Sequence, residues 1–379
     1  MKTAQVLYKN GIFGQLKGDV ISPNGALLII GFGAKPVLLN NDIYLALRVE
    51  YPMADIILCS TAGEIYDTDV LDDSVSILIM EFEKTWLKAI MLNINEASDS
   101  FEAGKKMFAE LSDKDLAYVL VLSDGGLVNG SRLVQGIQHS NDKGIPVTGG
   151  LAGDADLFDY TIVGLNSKPA KGNMVAVGFY GKSLKVGQGS FGGWDIFGPE
   201  KIVTRATSNK LFEIGGKNAL DLYKQYLGKY ADELPGSALL FPLNIRMPGS
   251  ERSVVRTILS IDNEEKSMVF AGDIPEGAYV RFMKANFDKL IDAATQAANS
   301  SLNVFASQAP KVALLISCVG RKIILGNRID EEIEAVKEVF GKSTIISGFY
   351  SYGEISPVDA STPCELHNQT MTITTFNED

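Results

Sequence analysis

The chain has 379 residues, 46% of them hydrophobic and 21% charged, with a formal net charge of −11. That length accommodates two domains, and the composition is that of a globular chain, which excludes disorder, a collagen-like repeat or a coiled coil. The negative balance, with no run of Lys or Arg to offset it, excludes non-specific binding to nucleic acid.

Cys59, Cys318 and Cys364 are the three cysteines. None falls in a C-x-x-C spacing, so neither a disulfide framework nor a structural zinc site is expected. The N-terminal segment MKTAQVLYKNGIFGQLKGD lacks the apolar run of a signal peptide. The longest apolar stretches, such as 26–32, are too short to span a bilayer. A cytoplasmic protein with no membrane partner is expected.

Short β-branched runs at 26–30, 55–59, 75–80, 87–93, 118–122 and 175–179 are bounded by turn residues and read as strands. Between them, 101–111 sets Phe101, Met107, Phe108 and Leu111 on one helical face. A second helix, 131–143, is stopped by Gly144 and Pro146. The stretch 174–207 is mostly strand and rich in glycine. A helix over 218–227 ends at Gly228. The chain then turns polar and reaches Pro235-Gly236, which sets a domain boundary near 230. Beyond it come a meander of strands (237–243, 253–261, 267–272, 278–282) and a long helix over 285–299. A buried strand at 312–317, a helix at 331–340 and a second buried strand at 343–348 follow. The last strand, 369–376, alternates like a half-exposed closing strand. The expected fold class is α/β with mixed α+β elements, in domains 1–230 and 231–379.

One internal echo stands out. Residues 55–65 read DIILCSTAGEI and 343–355 read STIISGFYSYGEI. Each is an apolar strand, a small-residue turn, then Gly-Glu-Ile. VALLISCVG precedes the second by a loop and a helix, as AYVLVLSDGG precedes IPVTGGLAGD in the first half. A strand–loop–helix–strand–glycine-turn unit therefore occurs twice, the mark of a duplication.

The glycine turns carry the main candidate residues. Glu64 and Glu354 each follow a glycine that ends a buried strand, and Asp154 ends GGLAGD in the same style. Ligands of open sheets bind outside the carboxyl ends of strands, and glycine allows close approach. An acid there either accepts a hydrogen bond from a ligand or ties down its own turn. A pair of glutamates could also do acid–base work, which leaves a small-molecule enzyme using Glu64 and Glu354 as an alternative. Arg321, in ISCVGR, could clamp a carboxylate or could sit in a salt bridge. Cys318 is a small buried hydrophobe or a reactive thiol. Of two histidines, His139 lies near a helix C-terminus. His367, at the start of the closing strand, is the better candidate for a haem ligand or a hydrogen-bond donor to a ligand. GQGSFG at 187–192 matches a dinucleotide fingerprint literally, but no helix follows to hold a pyrophosphate. No G-x-S-x-G nucleophile turn or Walker A loop occurs.

Together, IILCSTAGEI, IPVTGGLAGD, ISCVGRKIILG and GFYSYGEISP…LHNQTMTIT resemble the signature blocks of FIST proteins, in the family's order. GDIPEG at 272–277 is similar to the family's central meander. The resemblance runs from about residue 25 to the end and implies an N-terminal and a C-terminal FIST domain. It implies sensing rather than catalysis. FIST domains are viewed as intracellular signal-input modules that act beside histidine kinases, methyl-accepting proteins or cyclic-di-GMP enzymes. Amino-acid-like ligands are proposed for them, and a stand-alone bacterial subset binds haem and senses nitric oxide. His367 is a haem-ligand candidate because it lies in the last block. The resemblance thus implies a small-ligand sensor acting on a signalling partner, with haem and nitric oxide or a metabolite as the ligand.

Overall fold

The computed structural model describes residues 1–305, 308–357 and 362–379. The fold is mixed α/β, and its plan is a unit repeated three times. The first unit contains β1 (Lys2–Lys9), β2 (Ala26–Gly33), helices α1 (Lys35–Asn40) and α2 (Ile43–Glu50), β3 (Asp55–Ser60), β4 (Glu64–Tyr66) and β5 (Ser74–Phe82). The second contains β6 (Trp86–Asn93), α3 (Ser100–Leu111), β7 (Leu116–Ser123), α4 (Gly130–Ser140), β8 (Val147–Leu151), β9 (Val163–Leu165) and β10 (Asn173–Tyr180). The third opens with β11 (Leu184–Phe191). An inserted lobe follows, running from β12 (Asp195–Thr207) through helix α5 (Ala219–Leu227) to β13 (Tyr279–Lys284). The unit resumes with α6 (Phe287–Ser301), β14 (Val312–Cys318), α7 (Val319–Leu325), α8 (Ile329–Phe340), β15 (Ile345–Ser351), β16 (Gly353–Pro357), β17 (Cys364–His367) and β18 (Met371–Glu378).

Helix ends follow local chemistry. Asp99, Asn129, Asn218 and Asn286 each cap a helix by accepting a main-chain N–H three residues on. Gly228 and Gly341 close helices at φ 57° and 76°, where a side chain would be strained.

Each unit forms its own sheet. A parallel pair lies beside two antiparallel strands: β3-β2-β5-β1, β8-β7-β10-β6 and β15-β14-β18-β11. The short strand after each parallel pair leaves its own sheet. β4 joins β15 of unit three, β16 joins β8 of unit two, and β9 joins β3 of unit one. The three units are therefore interlocked in a ring. Three main-chain hydrogen bonds repeat the pattern at the turns: Ala62 N to Tyr350 O at 2.8 Å, Tyr352 N to Leu151 O at 3.2 Å, and Gly153 N to Ser60 O at 2.9 Å. The sequence echo thus extends to a third copy.

The inner faces of the three sheets meet in one core. Leu28, Ile30 and Phe32 face Tyr118, Leu120 and Leu122 and also Val312, Leu314 and Ile316. Each fully buried side chain of this size contributes about 1.5–3 kcal/mol relative to exposure. The lobe has a separate core, where Leu220, Tyr223 and Leu227 of α5 pack with Phe270 and Phe282.

Residue 230 lies in a short 3-10 segment inside the lobe. β12 pairs with β13 across it, and β8 pairs with β16. The polar Pro-Gly stretch marks a surface turn of the lobe, and strand pairing is continuous across 1–230 and 231–379. GQGSFG lies on β11. The expected strand 237–243 is instead a 3-10 turn over Gly236–Leu240 followed by a strand at Leu243–Arg246. Pro242 between them has no N–H for a ladder. The expected strand 253–261 is broken at Thr257 into Ser253–Arg256 and Ile258–Asp262, which pair with different neighbours.

Candidate ligand cavity

Where β7 and β14 end, the loops of units two and three and the inserted lobe line an open cavity of about 420 Å³. Loop 125–130 forms one wall and 318–320 another, while Thr257, Leu259 and 270–272 come from the lobe. Two glycines make this geometry possible. A Cβ on Gly125 would lie 2.1 Å from the Ala152 oxygen, and one on Gly320 would lie 2.5 Å from the Gln369 side-chain amide.

Asn368 lines the cavity between β17 and β18 and is 1% exposed. Neither Nδ2 nor Oδ1 has a hydrogen-bond partner among the described residues. Thr257, 5% exposed on the opposite, lobe side, has an unpartnered hydroxyl under the same condition. Leaving such groups unpaired costs about 1–3 kcal/mol each, and both amide atoms of the neighbouring, wholly buried Gln369 are unpaired in the same way. The neighbouring Gln369 is held at φ 62°, a left-handed conformation costing about 1–3 kcal/mol in a residue of this size. Its main-chain oxygen accepts the Trp194 indole N–H at 2.9 Å. Trp194 follows Gly192-Gly193 in the connection that leads from β11 into the lobe.

Glu64 and Glu354 occupy equivalent places. Glu64 accepts from the Thr61 hydroxyl at 2.5 Å and from Ser74 through its hydroxyl at 2.8 Å and its N–H at 3.2 Å. Glu354 accepts from the Ser351 hydroxyl at 2.8 Å and from Thr370 through its hydroxyl at 2.9 Å and its N–H at 3.2 Å. Burial pushes each carboxyl up to about 7. Both side chains tie strand ends together, the second of the two roles their position allowed. Glu64 also touches a neighbouring cavity of about 560 Å³, whereas Glu354 lines neither.

Asp154 is not the third member of this set. Cys59, Gly150 and Phe349 hold equivalent registers in the three parallel pairs, and opposite them stand Val163, Glu354 and Glu64. Residues 154–161 are an insertion peculiar to unit two, and Val163 takes the carboxylate's place. Asp154 instead accepts from Lys35 Nζ at 2.6 Å beside the second cavity. The insertion separates the two cavities: 154–157 line the second and 158–161 the first.

Arg321 is wholly buried and bound within the protein. Its guanidinium meets Glu332 at 2.8 and 3.1 Å and donates to the Gly192 and Leu290 oxygens at 2.7 Å each. The salt bridge, the second of its two expected roles, is what the structure contains. Cys318 lines the first cavity, with its thiol pushed up by burial and so protonated. His367 lines neither cavity, and its Nε2 is 2.9 Å from the Ser356 oxygen. Burial pulls its ring down to about 4, so it is neutral. A buried imidazole bonded to its own sheet and facing no cavity does not fit a haem iron. His139 is exposed, with its ring 5.6 Å from Phe101.

Of the candidate residues, the structure brings only Cys318 to the first cavity, while Glu64 and Asp154 line the second. Sequence reading passed over Asn368 and Thr257. The signal for Asn368 was the polar Asn-Gln pair between two strands, overshadowed by the neighbouring histidine.

A search among curated proteins gives no match. Among the described residues, no helix is long and apolar enough to cross a membrane. The FIST N domain matches residues 27–217 and the FIST C domain matches 219–357. These domains are associated with sensory signal transduction and small-ligand binding, and the chain belongs to the FIST family.

Proposed function

We propose that this protein is a cytoplasmic sensor that takes a small ligand into the first cavity and passes its state to a partner signalling protein. The observation that carries the reading is the cavity of about 420 Å³ walled by both the three-unit core and the inserted lobe, with the buried Asn368 amide, unpaired among the described residues, at its margin. The cavity lies within the usual range of about 300–1,000 Å³ for small-molecule sites. Two bodies form its walls, the three-unit core and the inserted lobe. A ligand that contacts both favours one arrangement of the lobe on the core and shifts the population toward it. The moving connection is Gly192-Gly193-Trp194, fastened to the core through Gln369 and Arg321.

The family's known partners make a histidine kinase or a cyclic-di-GMP enzyme the reader of that state. The role is binding, not turnover. Among the described residues, the cavity's one thiol is protonated, no histidine lines it, and Glu64 and Glu354 are occupied in holding strands. Of the ligands the family suggests, haem has no support from His367, and among the described residues no Lys or Arg lines the cavity to meet the carboxylate of an amino-acid-like metabolite. The test is ligand-dependent thermal stabilisation of the wild type against Asn368→Leu. Stabilisation that vanishes in the variant supports the site; equal stabilisation of both proteins rejects it.

A further inference from the structure

A third cavity, of about 270 Å³ and open to solvent, lies where the lobe meets α4. Val134 and Gln138 of α4 form one wall. The other is a lobe hairpin, in which Val254 of strand Ser253–Arg256 stands opposite Ile245. Side chains alternate along a strand, so Arg252, Val254 and Arg256 share the face that lines the cavity.

Arg256 is 7% exposed. Its Nε donates to the Asp273 main-chain oxygen at 3.3 Å, and its Nη1 donates to the Val255 and Leu366 oxygens at 3.2 and 3.0 Å. All three acceptors are neutral. Nη2 makes no hydrogen bond among the described residues, and unlike the sealed Nε of Arg281 it keeps access to solvent. Arg256 lines this cavity and neither of the other two, so that access is from here. Arg321 provides the contrast. Its buried guanidinium is paired with Glu332, whereas Arg256 makes no ion pair among the described residues. Asp273 and Glu365 line the same cavity and favour its charge from a distance, but burial outweighs them and pulls its value down to about 10. Arg252, at the exposed end of the same face, also makes no ion pair among the described residues.

A buried cation without a counter-ion is strongly unfavourable. A carboxylate or phosphate relieves that cost, because its oxygens accept from guanidinium N–H groups with charge on both partners. Val134, Ile245 and Val254 leave the rest of the wall apolar, which suits an alkyl stem behind a charged head.

We propose that this cavity is a second ligand site, for a carboxylate or phosphate on a short alkyl stem, with its head on Arg256 and Arg252 at the entrance. The site is separate from the first cavity and does not rest on the sensor reading. Arg256 already joins the lobe to Leu366 of β17, so a bound anion would brace the lobe against the core. Calorimetric titration of the full chain at constant chloride would use hexanoate, monobutyl phosphate and the uncharged hexanamide. At least one anion is expected to saturate a single site, roughly tenfold or more tighter than hexanamide. Hexanoate alone identifies a carboxylate ligand, and monobutyl phosphate alone identifies a phosphate ester. Arg256→Gln should weaken the anion by roughly tenfold or more. Arg252→Gln, at an exposed position, should weaken it by roughly threefold and decides the matter if the first variant does not fold, as near-UV circular dichroism will show. No saturable anion binding, hexanamide bound as tightly as the anions, or unchanged affinity in either folded variant would overturn the proposal.

Discussion

Trp194 donates its indole N–H to the main-chain oxygen of Gln369 at 2.9 Å, which fastens the first connection of the lobe to the residue next to the cavity's unpaired amide. A change at Asn368 therefore has a short physical route to the lobe. It passes through one strained residue and one hydrogen bond.

Trp194 should report ligand binding directly. The chain has two tryptophans, so a Trp86→Phe background leaves Trp194 as the sole indole. Addition of a cavity ligand should shift its emission in that background. Trp194→Phe should cost roughly 0.5–1.5 kcal/mol for the hydrogen bond, beyond any loss of packing. It should also weaken the ligand's effect on exchange of lobe amides. An unchanged spectrum on saturation would separate the connection from the site.

Asn368→Leu should make the free protein more stable. The substitution removes a buried amide with no partner among the described residues, so the gain is about 1–3 kcal/mol. Ligand binding should be lost at the same time. Denaturant unfolding of the ligand-free proteins checks this. A variant less stable than the wild type would show that the amide is paired in solution by something the fold itself holds.

Glu64 and Glu354 predict a pH dependence whose sign follows from linkage. Their folded-state values, about 7, lie above the ordinary 4.5. The folded state thus binds protons more tightly, and the associated stability is full below pH 4.5 and lost as pH rises through 7. The change is on the order of 3 kcal/mol for each group. His367 acts oppositely: with its value lowered from 6.5 to about 4, its contribution is lost as pH falls through that interval. The two effects overlap, so variants separate them. Glu64→Gln with Glu354→Gln should flatten the fall in stability between pH 4.5 and 7. A slope unchanged in the double variant would contradict the assignment.

Arg321→Met should cost about 3–5 kcal/mol, because Glu332 would be left buried without its cation. The loss should come from global stability. At a temperature where the variant is folded, ligand affinity should stay within a few-fold of wild type. A variant with full stability and no ligand binding would restore Arg321 to the site.

Much of the core was legible in the chain because buried parallel strands are continuous apolar runs. Val312–Cys318 and Ile345–Ser351 are buried along nearly their whole length, and their sequences read so. Asn129 sits two residues before the expected helix start at 131 and Asn286 one residue inside the expected start at 285, and each caps its helix. The third repeat was harder to see. The insertion 154–161 moves Asp154 out of the place that Glu64 and Glu354 hold, and Val163 stands there without a carboxylate. The exchange of β4, β9 and β16 among sheets leaves no local mark, because pairing partners are set by tertiary packing. The cavity was least legible. Its walls combine loops from two units with an inserted lobe, and a lone Asn or Thr carries no spacing signal. Arg321 looked like a ligand clamp because sequence does not show that Glu332 faces it.

Hydrogen–deuterium exchange of the full chain, with and without a saturating compound that stabilises the wild type but not Asn368→Leu, tests the sensor reading at its cavity. The account predicts slower exchange in three segments far apart in sequence, 125–130, 257–272 and 368–370, together with a change at 192–194. Protection confined to 34–36 and 61–73, beside the second cavity, or no change at 368–370, would contradict it.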